Sequence, residues 1–109
     1  MSPPQSLINP SQLVFNHDDF ARTSTYELGY YLVGAEAPIQ TVVIPKTSVA
    51  LAGMEYSTSL PRPVFGTFVT RLRACAVDVK NAPICSPWSN TTNSFSLLPL
   101  APVNAVIRP

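Results

Sequence analysis

From Gln12 the chain alternates apolar and polar positions with a period of two. Leu13 and Phe15 share one face, and the polar run Asn16-His17-Asp18-Asp19 ends the segment as a solvated turn. TYELGYYLV repeats the pattern with Tyr26, Leu28, Tyr30 and Leu32 on one side and Glu27, Gly29, Tyr31 and Val33 on the other. Alternation with aromatic enrichment predicts half-buried strands. A turn at residues 34–38 leads to IQTVVI, stopped by Pro45, and SVALAGM follows with Val49 and Leu51 on one face. EYSTSLPRPVFG reads as a long connection. TFVTRLRACAV is the clearest strand, with Phe68, Thr70, Leu72 and Ala74 inward and Val69, Arg71, Arg73 and Cys75 outward. KNAP supplies a turn, and ICSPWSNTTNSFSLL returns as the last strand. About seven short antiparallel strands between turn signals predict an all-β sandwich.

Composition narrows this picture. The 109 residues suffice for one domain. Twelve prolines leave no room for long helices. Charged residues make up only 12%, about half the usual share, so the surface leans on Ser, Thr, Asn and Pro. The net charge is +1 and the basic residues are scattered, which argues against a nucleic-acid partner. No apolar run reaches the roughly 18 residues of a membrane span. The start, MSPPQSLINP, lacks the basic and apolar blocks of a signal peptide.

Several pieces, in order, resemble a fibronectin type III domain. LVFNHDD resembles its second strand, with Phe15 where that family carries Trp. YELGY resembles the third strand through Tyr26, Leu28 and Tyr30. Met54 stands where a Leu precedes the long turn, and FVTRLRA matches the sixth strand with Phe68 in place of a Tyr. SPWSN resembles the start of the seventh strand. The resemblance spans residues 12–97 and implies an immunoglobulin-like, fibronectin type III β-sandwich. Because Phe68 has no hydroxyl, the corner before the sixth strand is expected to be held by packing alone.

Few residues suggest chemistry. A zinc site needs about four ligands, whereas the chain offers Cys75, Cys85 and the distant His17. If the hairpin centres near Lys80, the two cysteines face each other, either as a cross-strand disulfide or as two free thiols. Arg71 and Arg73 share the outer face with Glu27 and Tyr31. Trp88-Ser89 resembles half of the Trp-Ser repeat of cytokine receptors, in which arginines stack on the indole. A cation–π cluster of Arg71, Arg73, Trp88 and Tyr31 is one expectation; solvated arginines beside an edge-covering Trp88 are the other. Asn90-Thr91-Thr92 fits the glycosylation pattern, which matters only for a secreted chain. With one histidine and six carboxylates, no catalytic set or cofactor site is expected.

The ends bear on role. Residues 1–11, with Pro3, Pro4 and Pro10, read as an extended arm. Residues 98–109 carry Leu98, Leu100, Val103, Val106 and Ile107, too apolar for a solvated tail, and Pro99 and Pro102 forbid a helix. The expected function is a non-catalytic structural or protein-interaction module. It would be a self-associating subunit of a larger assembly such as a virion surface, fibre or cell-surface structure, with the C-terminal arm on a partner. The alternatives are a receptor- or adhesin-like ectodomain that binds a protein through its loops, or an accessory domain of a carbohydrate-active enzyme.

Overall fold

A computed structural model describes residues 3–9, 12–52 and 55–98. The described chain is all-β, with two antiparallel sheets packed face to face. The first sheet contains β1 (Gln5–Asn9), β2 (Gln12–Asn16), β5 (Ala50–Ala52) and β6 (Glu55–Ser59), in the order β1-β2-β6-β5. The second contains β3 (Thr25–Tyr31), β4 (Gln40–Pro45), β7 (Gly66–Val77) and β8 (Pro83–Cys85), in the order β4-β3-β7-β8; β9 (Phe95–Leu97) pairs with the start of β7.

The period-two reading describes the core of this pair. Tyr26, Leu28 and Tyr30 of β3 and Phe68, Leu72 and Ala74 of β7 are buried against Ile8, Leu13 and Phe15 of the first sheet. Thr70, inside the same inward set, has its hydroxyl 2.9 Å from that of Thr92, so the core holds no orphaned polar atom there. Register follows from the turns. Gly34 takes φ +84 at the third position of the turn closed by Ala35 N–H to Leu32 C=O, a conformation that favours glycine. Asn81 takes φ 62, while the Asp78 carboxylate accepts from Lys80 and Ala82 N–H. That loop centres the β7–β8 hairpin near Lys80 and sets Cys75 opposite Cys85.

Among the described residues there are nine strands where about seven are expected, and the added ones, QSLIN and EYSTS, are rich in polar residues. Gln5–Asn9 is no detached arm: it pairs with β2 from Gln5↔Asn16 to Asn9↔Gln12 and places Ile8 in the core. The expected connection after Met54 begins with β6, which pairs with β2 and buries Thr58; Met54 itself lies outside the described residues. Leu60 is the buried apolar residue ahead of the turn. Leu32 and Val33 lie beyond the end of β3 and are exposed. His17 is not solvated, since its Nδ1 lies 2.9 Å from the buried Tyr26 hydroxyl. The corner before β7 does have a hydroxyl: Tyr30, reaching across from β3, donates to the Pro61 carbonyl.

The last strand is also not continuous. Between β8 and β9 the chain follows a three-residue repeat, the period of polyproline II. Ser86, Ser89 and Thr92 each donate N–H to a β7 carbonyl (Ala74, Leu72 and Thr70, at 2.8–2.9 Å). Each hydroxyl accepts the N–H of that same β7 residue at 2.9–3.0 Å and donates to the next carbonyl along its own chain. One step along, the Asn90 and Asn93 amides accept from and donate to the backbones of Ser6 and Ile8, all at 3.0 Å. One segment thereby stitches β7 of one sheet to the outer edge of β1 in the other.

Candidate functional site

The outer face of the second sheet carries the chain's concentrated side-chain chemistry. Cross-strand register fixes its rows: Arg73 opposes Glu27, which opposes Val43, and Arg71 opposes Gly29, which opposes Thr41. Arg73 donates from Nε and Nη2 to Glu27 Oε2 at 2.9 and 2.6 Å, and its guanidinium stacks 4.5 Å from the centre of the Trp88 ring. Trp88 meets Tyr31 edge-on at 6.3 Å, and Arg71 lies 5.7 Å from the Tyr31 ring centre. Arg71, Tyr31, Trp88 and Arg73 thus form one contiguous cluster, two rings in contact with a cation at each end. An arginine over an aromatic face gains roughly 0.5–1 kcal/mol when exposed, and more where water is excluded.

Gly29 makes the arrangement possible, a role that the strand pattern hides. A Cβ there would sit 2.9 Å from Tyr31 Cε1 and 3.5 Å from both Trp88 Cη2 and Pro38 Cβ. The Tyr31 contact is too close for a Cβ, whereas Trp88 and Pro38 would be at ordinary packing distance, so a residue without a side chain lets the Tyr31 ring lie where it does. The available signal was a glycine inside an otherwise aromatic strand, which often marks such a close approach.

Cys75 and Cys85 form a cross-strand disulfide with Cα atoms 4.1 Å apart. Glu27 Oε1 lies 3.7 Å from Cys75 Sγ. A disulfide sulfur has no proton to donate, so this is a packing contact. The donor atoms of Glu27, Cys75 and Cys85 lie within 4.8 Å of one another. With the sulfurs bonded and Glu27 engaged by Arg73, the trio has no free thiolate to offer a metal.

Beside the stack opens a hollow of about 520 Å³. It is lined by Tyr31, Val69 and Arg71, by residues 34–38, and by Trp88 and Thr91. Asn90 precedes Thr91 in the chain, but both of its Nδ2 hydrogens are engaged, by the carbonyls of Ser6 and Thr91, and a glycan would have to displace one of them. In the C-terminal arm only Leu98 is described: it is exposed, and its carbonyl accepts from Arg62. Leu100, Val103, Val106 and Ile107 lie outside the described residues. Among the described residues no helix is long and apolar enough to cross a membrane. Comparison with protein-family models, with curated proteins and with solved structures finds no match to this chain.

Proposed function

We propose that this chain is a non-catalytic protein-interaction module of the fibronectin type III kind, acting as a subunit of a larger assembly. The strand succession supports the fold reading. β1-β2-β6-β5 facing β4-β3-β7-β8 is the order of an immunoglobulin-like sandwich with an extra strand after the third. The observation that carries the functional reading is the state of the sheet edges. β1 is covered by Asn90 and Asn93, and β5, β8 and β9 have three residues each. β4 is six residues long, carries no charge, and exposes Val43 at 60%. Edges of soluble sheets are usually blunted by charge, bulges or brevity, and β4 has none of these along most of its length.

The occupant we assign to β4 is the apolar segment 98–109 of a second copy. It is uncharged up to Ile107 and alternates Val103, Ala105 and Ile107, as strand addition requires. Sedimentation of the full chain should show concentration-dependent self-association. Deletion of residues 98–109, or Val43→Lys at the edge, should give a folded monomer with a nearly unchanged melting temperature. A full chain that stays monomeric, or a truncated chain that still assembles, would overturn the reading. Unfolding of the truncated chain would place the segment in its own core instead.

A further inference from the structure

Two arginines two residues apart on one strand, facing the same way, meet different fates. Arg73 has Glu27 directly across the ladder and is paired with it at 2.6 Å. Arg71 has Gly29 across the ladder, and among the described residues its side chain makes no hydrogen bond or ion pair, only the contact with the Tyr31 ring. The position that supplies the counter-charge in one row is empty of side chain in the next, and the 520 Å³ hollow opens beside it. We propose that this hollow binds an acidic side chain of a protein partner. Its carboxylate would sit on Arg71 as Glu27 sits on Arg73, and its neighbouring apolar groups would lie against Trp88 and Pro38.

Three features select that ligand. A guanidinium presents parallel N–H donors that match a carboxylate, and such charge-assisted pairs are about twice as strong as neutral hydrogen bonds. The Tyr31 ring lies 5.7 Å from the Arg71 guanidinium and both residues line the hollow, so a carboxylate there meets a cation already placed against a ring. Glu36 lines the same hollow. With a single cation and an anion already lining it, the hollow has charge for at most one carboxylate on Arg71 and disfavours a dianionic phosphate. This site is separate from the β4 edge and stands or falls independently of it.

Trp88 is the chain's one tryptophan and lines the hollow, so its emission reports occupancy. The probes are the capped dipeptides acetyl-Pro-Glu-amide and acetyl-Pro-Gln-amide, titrated into the full chain. The Glu probe should saturate the Trp88 signal and bind at least about tenfold more tightly than the Gln probe. Arg71→Gln should abolish that preference, while Arg71→Lys, which keeps the charge and the stem over Tyr31, should retain part of it. Sodium propionate, a carboxylate without peptide flanks, should bind more weakly than the Glu dipeptide. Equal binding of the Glu and Gln probes, a preference that survives in Arg71→Gln, or no change at Trp88 would each overturn the site. Propionate binding as tightly as the dipeptide would overturn its assignment to a protein side chain.

Discussion

At the scale of single residues, the outer face depends on an absent side chain. Gly29 sits mid-strand, where glycine is usually a weakness, because it lacks packing area and loses more backbone freedom on folding. Here the missing Cβ is the space that the Tyr31 ring occupies, with Trp88 packed beside it. Gly29→Ala should therefore not give the small gain expected of a compatible glycine replacement. The methyl meets Tyr31 Cε1 at 2.9 Å, and Tyr31 is itself pinned between Arg71 and Trp88, so the cheapest relief is to lift the indole off the sheet. The expected result is a red-shifted Trp88 emission and a loss of stability of about 1–3 kcal/mol, the range for overpacking. Unchanged emission and stability would mean that the rings are not held as described. The facing of Arg71, Arg73 and Tyr31 was legible in the alternation; that Trp88 packs beside Gly29 was not, because the indole arrives from a segment 59 positions further along the chain (88 − 29).

At the scale of elements, the parts that were readable and those that were not differ in what holds them. β2, β3, β4 and β7 bury apolar side chains on alternate positions, so a hydrophobicity pattern finds them. β1 and residues 86–93 are held largely by hydrogen bonds from Ser, Thr and Asn, and β6, rich in the same residue types, by backbone pairing with β2 and β5. Those residue types are equally common in turns and tails, which is why QSLIN read as part of an arm and EYSTS as a connection. The repeat Ser86, Ser89, Thr92, offset by one from Asn90 and Asn93, was visible as spacing. It had no meaning without knowing that two sheet edges run on either side of it. The Asn90 and Asn93 amides satisfy the outward backbone of β1, so replacing both with Ala leaves Ser6 and Ile8 groups without partners. A buried group that loses its partner costs about 1–3 kcal/mol. Asn90→Ala with Asn93→Ala should lower stability by roughly 2–4 kcal/mol on that basis, and hydrogen exchange should accelerate at Ser6 and Ile8 while the inward residues of β7 stay protected in proportion. Unchanged protection at Ser6 and Ile8 would show that water replaces the amides without loss.

At the scale of the whole molecule, the two sheets are joined by polar ties as well as by the core. The phenols at either end of β3 reach out of their own sheet: Tyr26 meets His17 just beyond β2, and Tyr30 meets Pro61 just beyond β6. Both rings are fully buried. Burial opposes the phenolate, pushing Tyr26 up to about 12 and raising Tyr30 as well, against the downward pull of Arg62. The consequence for stability has a definite sign. In the unfolded chain both phenols lose their protons near pH 10, while the folded chain keeps them. Above that pH the unfolded state binds fewer protons than the native state, so stability falls as pH rises. Below it both states are protonated, and the phenols contribute no slope. The urea midpoint should be insensitive to these groups from pH 7 to about 9 and should then decline steeply, each phenol contributing up to about 1.4 kcal/mol per pH unit. Tyr26→Phe loses the tie to His17 at every pH, but it removes one of the two titrating groups, so its decline between about pH 10 and 12 should be close to half as steep. A midpoint that holds steady through this range, or a decline unaltered by Tyr26→Phe, would show that the phenols ionise in place without opening the sandwich.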